Sequence, residues 1–490
     1  METISITQLK TNMIEEITQA LSKKIVPVGA HIEDSLLTGS IMSATEDIRG
    51  LCNSFEDQAW EIYLTNLFKC KTILEWLRQL GAKKALKFVL YQTIMITLPS
   101  GNKIQIRSPF FVKSAPKRGR KKKGPNNRGE HLLLSLMGFI HKVEPKLAFR
   151  AVQLATIAPS FAIASQILKQ EGINLSANKI RKLVSTVGNL NLSARVNLLL
   201  DDKNPCPLEN QRVLISVDGG RLRQRKTKRG PIPKGNKQNG FHTEWIEPKL
   251  FAIYIIDEEG NVLKEIPPFI DGTTGKLNSF LELFEHYLVQ LGIDKASEVV
   301  LVGDGAPWIW ERLPKLIRET GGESLKITEI IDWTHAEQNL RKAFAALPKK
   351  KAEQVKYKNF KDLLFAGDIS KIVSDVKKFF KMRSSSKIMK KLKSYFTSNV
   401  NRMQYKNNEL MKLPIGSGVI ESAIRRVVNL RLKSPGSFWK LDFAEKMIYL
   451  RSQVLYGRWQ YFTNNWGKAL VQDFRNLVAC DAPSTHKGKI

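Results

Sequence analysis

Gln211–Gly220 reads QRVLISVDGG and Ser297–Ala306 reads SEVVLVGDGA. Each is a short run of β-branched and apolar residues that ends on Asp-Gly, the pattern of a strand buried on both faces that stops at a turn. The spacing predicts Asp218 and Asp304 at the carboxyl ends of two strands, with the following glycines letting the chain turn sharply. One Asp-Gly is an ordinary turn signal. Two of them on buried strands of one sheet bring two carboxylates together, and paired carboxylates are what a hard cation such as Mg2+ takes.

Outward from these strands, Lys249–Gly260 (KLFAIYIIDEEG) and Asn261–Gly272 (NVLKEIPPFIDG) are two more β-rich runs. Leu277–Gly292 and Trp308–Thr320 carry helical spacing, and Ser324–Asp332 (SLKITEIID) is a further strand. The order βββαβαβ resembles the RNase H core. The expected fold class is therefore α/β, an RNase H-like mixed sheet with a helical insertion, plus a mainly helical N-terminal region. Strand order within the sheet is not legible at this stage.

The core is expected to span residues 211–335 and 414–458. Residues 336–413 are Lys-rich, with few strand signals, and read as the helical insertion; residues 459–490 read as a C-terminal tail. At Pro414–Lys433 (PIGSGVIESAIRRVVNLRLK) a helix begins, with Gly416 to Gly418 as a tight entry. Glu421 stands near its start, where the helix dipole favours an acid that solubility does not require. It is the candidate third carboxylate.

Upstream, residues 1–112 read as a helical accessory domain with a short hairpin that turns at Pro99 to Asn102. Residues 113–129 (KSAPKRGRKKKGPNNRG) combine Gly, Pro and clustered charge, a basic linker or arm whose Arg118, Arg120, Lys121, Lys122 and Lys123 suit DNA. In the helical region 130–200, Lys146–Gly188 reads helix, break, helix, turn, helix. Ser176 is placed to cap the last helix, and Lys179, Arg181 and Lys182 to face phosphate. A helix-turn-helix and a plain bundle both fit.

Lys and Arg total 78 against 46 Asp and Glu, a net charge of +32, so a polyanionic partner is expected. Cys52, Cys70, Cys206 and Cys480 form no CxxC pair, which argues against a zinc ribbon or a disulfide framework. With no stretch of eighteen apolar residues and no signal-like start, a soluble intracellular protein without membrane contact is expected.

Four segments, SVDGGRLRQR (216–225), LVGDGAPWIW (301–310), IIDWTHAEQNL (330–340) and the block Leu413–Ser452, resemble the DDE transposases of bacterial insertion sequences, ISKra-like type, with kinship to the Mutator-like group. The resemblance covers about residues 211–458. It implies that Asp218, Asp304 and Glu421 form a metal-binding triad for two Mg2+ ions, with Mn2+ able to substitute. It also implies double-stranded DNA, both element ends and target, as partner, a homodimer or larger assembly on DNA, and a bacterial, cytoplasmic, nucleoid-associated setting. Asp332 and His335 match the D-x-x-H of Mutator-like relatives, and His335 is expected either to contact DNA or to be a satisfied structural residue.

Arg425, Arg426 and Arg431 follow Glu421 on its helix, either as a clamp on the DNA backbone or, for Arg425, as an ion pair that orients Glu421. The run Arg223–Gly235 (RQRKTKRGPIPKG) reads as a charged loop, with Arg223, Arg225, Lys226 and Lys228 as phosphate contacts. Trp308, Trp310, Trp333 and Trp439, beside the motifs, suit core packing more than base stacking. The cysteine-rich N-terminal segment that ISKra-like proteins often carry is missing.

Overall fold

A computed structural model describes residues 8–23, 41–113, 129–195, 206–232, 234–235, 239–345, 357–379, 390 and 394–466. The chain divides into two compact units, Met1–Val187 with Asn465–Ile490, and Gly188–Asn464. The basic-arm candidates Arg118, Arg120, Lys121, Lys122 and Lys123 lie outside the described residues. Among the described residues no helix is long and apolar enough to cross a membrane.

In the first unit, helices α1 (8–23), α2 (Ile41–Lys69) and α3 (Lys71–Lys83) precede an antiparallel hairpin of β1 (Leu86–Thr97) and β2 (Lys103–Lys113). Its turn closes where Leu98 donates to the Asn102 carbonyl, with Gly101 at φ 90°, a left-handed position that suits glycine. Leu64, Phe68, Leu77, Ile94, Ile96, Ile106 and Phe111 form the core between the helices and the hairpin. After α4 (Leu132–Leu136) come α5 (Pro145–Ile157), α6 (Phe161–Gln170) and α7 (Ala177–Ala194). The Glu144, Ser160 and Ser176 side chains cap α5, α6 and α7 by accepting from the Leu147, Ile163 and Lys179 amides.

The second unit is organised by five strands: β3 (Arg212–Gly219), β6 (Lys249–Ile256), β7 (Phe269–Thr273), β8 (Glu298–Gly303) and β9 (Ile327–Ile331). Their order is β7-β6-β3-β8-β9; β3 is antiparallel to β6, β6 to β7, while β3, β8 and β9 run parallel. Counted from β3 as the first strand, this is the 3-2-1-4-5 mixed sheet of the RNase H fold. The fold expectation is met. Residues Val213–Val217 and the whole of β8 are buried, as their uninterrupted apolar runs require of central strands covered on both faces.

One face is covered by α8 (Leu277–Leu291) and α9 (Pro307–Gly321); Phe251 of β6 meets Phe280, Phe284 and Tyr287 of α8. Against the other face lies the short helix Gly418–Ile424, which rests on β3 and β6. Between β9 and that helix, α10 (Trp333–Ala345), Tyr357–Ala366, Ile369–Phe379 and Tyr405–Leu410 are helical, with no strand among the described residues.

Two expectations need correction. Arg223–Gly235 is not a loop throughout: β4 (Leu222–Thr227) pairs antiparallel with β5 (Phe241–Ile246) as a two-stranded ribbon. Alternation of charged with polar residues hid it, because that pattern has no apolar face to count. Likewise Asn261–Gly272 is strand only from Phe269 onward, with Val262 making an isolated bridge to Ile256.

Candidate active site

The register places the acids. Val217 of β3 pairs with Gly303 of β8, and Gly303 pairs with Ile331 of β9. Asp218, Asp304 and Asp332 each stand one residue past this aligned row, so they lie at one level across three adjacent parallel strands. Neighbouring strands are about 4.8 Å apart, which puts the first two carboxylates in reach of one another.

Asp218 does not close its strand; Gly219 is still part of β3. Neither Gly219 nor Gly220 has a positive φ, so they are not there for a sharp turn. A Cβ on Gly219 would stand 2.6 Å from Glu247 Oε1, and one on Gly220 3.2 Å from Val428, which is close approach, not backbone strain. Gly305, after Asp304, is tighter still: a Cβ there would lie 2.1 Å from the Tyr395 ring. Asp304 Oδ1 accepts from the Ala306 amide, and its carbonyl accepts from the Trp310 indole at 2.7 Å, which fixes the backbone that carries the acid.

Glu421 is in the first turn of Gly418–Ile424 and exposed. The chain then runs into a π-helical turn, Arg425–Asn429, a feature frequent at functional sites. Buried Arg451 supports it from the helix Leu441–Leu455, donating to the Val427 carbonyl at 2.9 Å and to the Arg426 carbonyl. No ion pair joins Arg425 to Glu421 among the described residues; Arg425 and Arg426 are exposed. Arg431 is buried, its guanidinium 5.0 Å from the Trp439 ring centroid, and burial pulls its pKa down to about 10. It is not presented to DNA.

Asp332 is the hub that the D-x-x-H pattern only hinted at. It is 1% exposed, and its Oδ1 accepts from the His335 amide at 2.7 Å and faces His335 Nδ1 at 3.1 Å. Its Oδ2 accepts from the Ser417 amide, in the entry to the Glu421 helix. Trp333 adds a backbone bond to the Ile415 carbonyl at 2.9 Å, and Asp332 N donates to Gly303 O at 2.8 Å. One residue thus ties the β8 end through its backbone N–H, and the His335 ring and the Glu421 loop through its carboxylate. Burial alone would raise its pKa, but the bonds from His335 and Ser417 hold it below the usual carboxylate value. The same contact raises His335, with Asp332, Asp304 and Asp218 adding attraction.

Asp218 is pushed up from 3.8 to about 6, first by burial, then by the negative charge of Asp304 and Glu421; the Gly219 amide and His335 oppose this. Asp218 is thus near enough to Asp304 and Glu421 to feel their charge. Among the described residues no Lys or Arg lies within 4 Å of Asp218, Asp304 or Glu421. Asp332, His335 and Glu421 each offer a ligand atom within 4.8 Å of the others. With its two oxygens occupied by three protein N–H groups, however, Asp332 is a poor ligand beside Asp218, Asp304 and Glu421. Asp218 and Asp304, which attract His335, add further hard oxygen donors of the kind a divalent cation takes.

A proton on Asp218 competes with any cation. Because the folded carboxyl titrates near 6, above its ordinary 3.8, its stabilising contribution is full below 3.8 and lost as pH rises through 6. Ionised Asp218 should then cost the metal-free protein on the order of 1–3 kcal/mol at neutral pH. Asp218→Asn is expected to melt a few degrees above wild type at neutral pH without metal, and at the same temperature near pH 4. Millimolar Mg2+ should raise the melting temperature of wild type alone; calorimetry with and without EDTA checks this.

The remaining candidates are spread out. Asp271, a third Asp-Gly acid, is fully buried on the opposite face of the sheet from Asp218, where it accepts from Tyr287 at 2.8 Å and faces Arg195 at 3.5 Å; it is structural. Lys179 donates to the His141 carbonyl at 2.6 Å, whereas Arg181 and Lys182 are exposed. Trp310 and Trp439 are buried, Trp308 packs on Phe280 and Trp333 on Tyr405. Arg223 and Arg225 are half-buried, and Lys226 and Lys228 exposed, on or beside the ribbon.

No family model matches the sequence, and no curated protein matches it. Among solved structures, the Drosophila P element transposase strand transfer complex aligns at 14% identity over 66% of this chain and 80% of that chain, with a TM-score of 0.26. At that score the fold assignment rests on strand order and register.

Proposed function

We propose that this chain is a DNA transposase of the ISKra-like DDE type, related to the Mutator-like group, which cleaves DNA strands and joins them with Mg2+. What supports this reading is the register that sets Asp218 and Asp304 one residue past the same paired row of adjacent parallel strands, near the Asp332–His335–Glu421 group and with no Lys or Arg within 4 Å among the described residues, on a chain of net charge +32. Such a donor set serves phosphodiester chemistry on a polyanion.

Asp218, central among the acids, would hold both ions, with Asp304 and Glu421 on either side. Bound there, two Mg2+ ions supply charge stabilisation for the attacking and leaving oxygens of an in-line displacement at phosphorus. The protein's own part is placement. Asp332 takes the Nδ1 side of His335 and raises its pKa, which leaves Nε2 as the ring nitrogen that would meet a phosphate oxygen. Arg425 and Arg426, exposed one turn beyond Glu421, would contact the DNA backbone. Arg181 and Lys182 on α7, and the basic arm 113–129, are the proposed contacts for the element ends, and two ends require at least a dimer.

Incubation with labelled DNA and Mg2+ tests this. Joined products are expected along with nicks. Nicks without joining would make it a nuclease of the same fold, and binding without either would make it an inactive DNA-binding factor.

A further inference from the structure

The β4–β5 ribbon begins four residues after Asp218, and its two faces differ in charge balance. On one face Lys226 is bound to Glu244, and Leu222 at the base is fully buried. The other face carries Arg223, Arg225, Phe241 and Trp245; the pairs Arg223–Trp245 and Arg225–Thr243 stand directly opposite each other. Phe438 joins this face because the neighbouring Trp439 bonds to the β4 backbone, accepting from the Arg225 amide at 2.7 Å and donating to the Arg223 carbonyl at 3.0 Å.

There the two arginines are stacked. The Arg223 guanidinium lies 5.5 Å from the Trp245 ring and 4.9 Å from the Phe438 ring, and Arg225 lies 4.2 Å from Phe241. Both Nε groups are shut in without an acceptor, and one terminal nitrogen of Arg223 reaches the Ser434 carbonyl at 3.4 Å. Among the described residues neither guanidinium has a carboxylate within 4 Å. From Leu222 to Thr243 the chain has seven Lys and Arg and no Asp or Glu, and Leu430–Lys440 has no acid either. Trp245, 58% exposed, is the most open aromatic on this face.

Stacking an arginine holds its planar group in place and leaves the terminal N–H groups for an outside anion. Residues i and i+2 on one face of a strand are about 6.6 Å apart, close to the separation of successive phosphates along one nucleic-acid strand. Arg223 is five residues beyond Asp218, so it lies within roughly 17 Å of that acid, about two to three steps at this phosphate spacing. We propose that this face of the ribbon grips the DNA strand that flanks the scissile bond, Arg223 and Arg225 on successive phosphates and the Trp245 indole stacked on an unpaired base. This deepens the reading of the chain as a DNA-processing enzyme and rests on it.

The test measures binding of the full-length chain without Mg2+, in the Asp304→Asn background, to a labelled blunt duplex and to the same duplex with a short unpaired flank. Arg223→Gln with Arg225→Gln should lower the slope of log affinity against log salt by about 1.4–1.8. Lys226→Gln, on the charge-paired face, should change it by less than half of one contact. Trp245→Ala should weaken binding to the flanked duplex about tenfold and leave the blunt duplex unchanged, with Trp245→Phe restoring most of the loss. Its exposure makes that variant safe for folding, so its arm decides even if the double arginine variant melts early. Equal per-charge effects at Lys226 and the two arginines, or flank affinity unchanged in Trp245→Ala, would overturn the proposal. Because no arm needs cleavage, failure of the transposase reading would show as absent joining with these binding differences intact.

Discussion

Asp304→Asn is expected to reduce Mg2+-dependent cleavage and joining by at least about a thousandfold while leaving duplex affinity within a few-fold of wild type. The exchange keeps volume and one acceptor oxygen. Asp304 Oδ1 accepts only the Ala306 amide, a bond that an amide oxygen can replace, so the loop should hold. What is lost is one negative charge in a cluster whose chemistry depends on charge. Asp218, relieved of a like-charged neighbour, should titrate closer to its ordinary value, the direction given by the repulsion from Asp304. Single-turnover gels and fluorescence anisotropy on one preparation separate the two effects. A parallel loss of binding and chemistry would mean that Asp304 is structural.

Asp332→Ala has the second large effect, and it acts on stability and activity together. Removal of a carboxylate 1% exposed strands the Ser417 and His335 amides in a buried site. Breaking such a buried set costs about 3–5 kcal/mol. Activity should fall at least about a hundredfold in protein that is still folded, because Glu421 and His335 both lose their support and small misplacements of reacting groups are costly. Asp332→Asn is the milder variant, and it carries the decisive readout: the His335 imidazole should titrate closer to 6.5, its ordinary value, as seen by NMR. His335, raised by its partner, contributes fully below 6.5 and loses that contribution as pH rises through its folded value; Asp332, lowered, contributes above 3.8 and loses it on acidification. The pair therefore contributes most between about pH 4 and 6.5, and the stability gap between wild type and Asp332→Asn should be widest there.

The strands that build the site were legible because burial on both faces leaves little room for polar residues, so VLISV and VVLVG announce themselves. Strand order was not, since it depends on pairing between distant segments; the register Val217–Gly303–Ile331 supplies it. Asp218 and Asp304 were found by their Asp-Gly endings, yet the same ending at Asp271 marks a buried structural acid on the other face. Sequence period alone does not say which face meets a helix and which meets the site. The ribbon escaped notice because Arg223, Arg225 and Lys226 look like loop charge when the aromatic partners, Phe241, Trp245 and Phe438, are far away in the chain. Arg431 misled for a related reason: an arginine beside a candidate acid suggests DNA, but this one stacks on Trp439 inside the unit.

The account turns on Asp218, Asp304 and Glu421 sharing one cation site. The most direct measurement replaces Mg2+ with Fe2+, adds ascorbate and peroxide, and maps where radicals made at the bound iron cut the backbone. Cuts confined to the neighbourhoods of residues 218, 304 and 421, suppressed by excess Mg2+ and lost in Asp304→Asn, are expected. Cuts elsewhere, or a pattern that Asp304→Asn leaves unchanged, would contradict it.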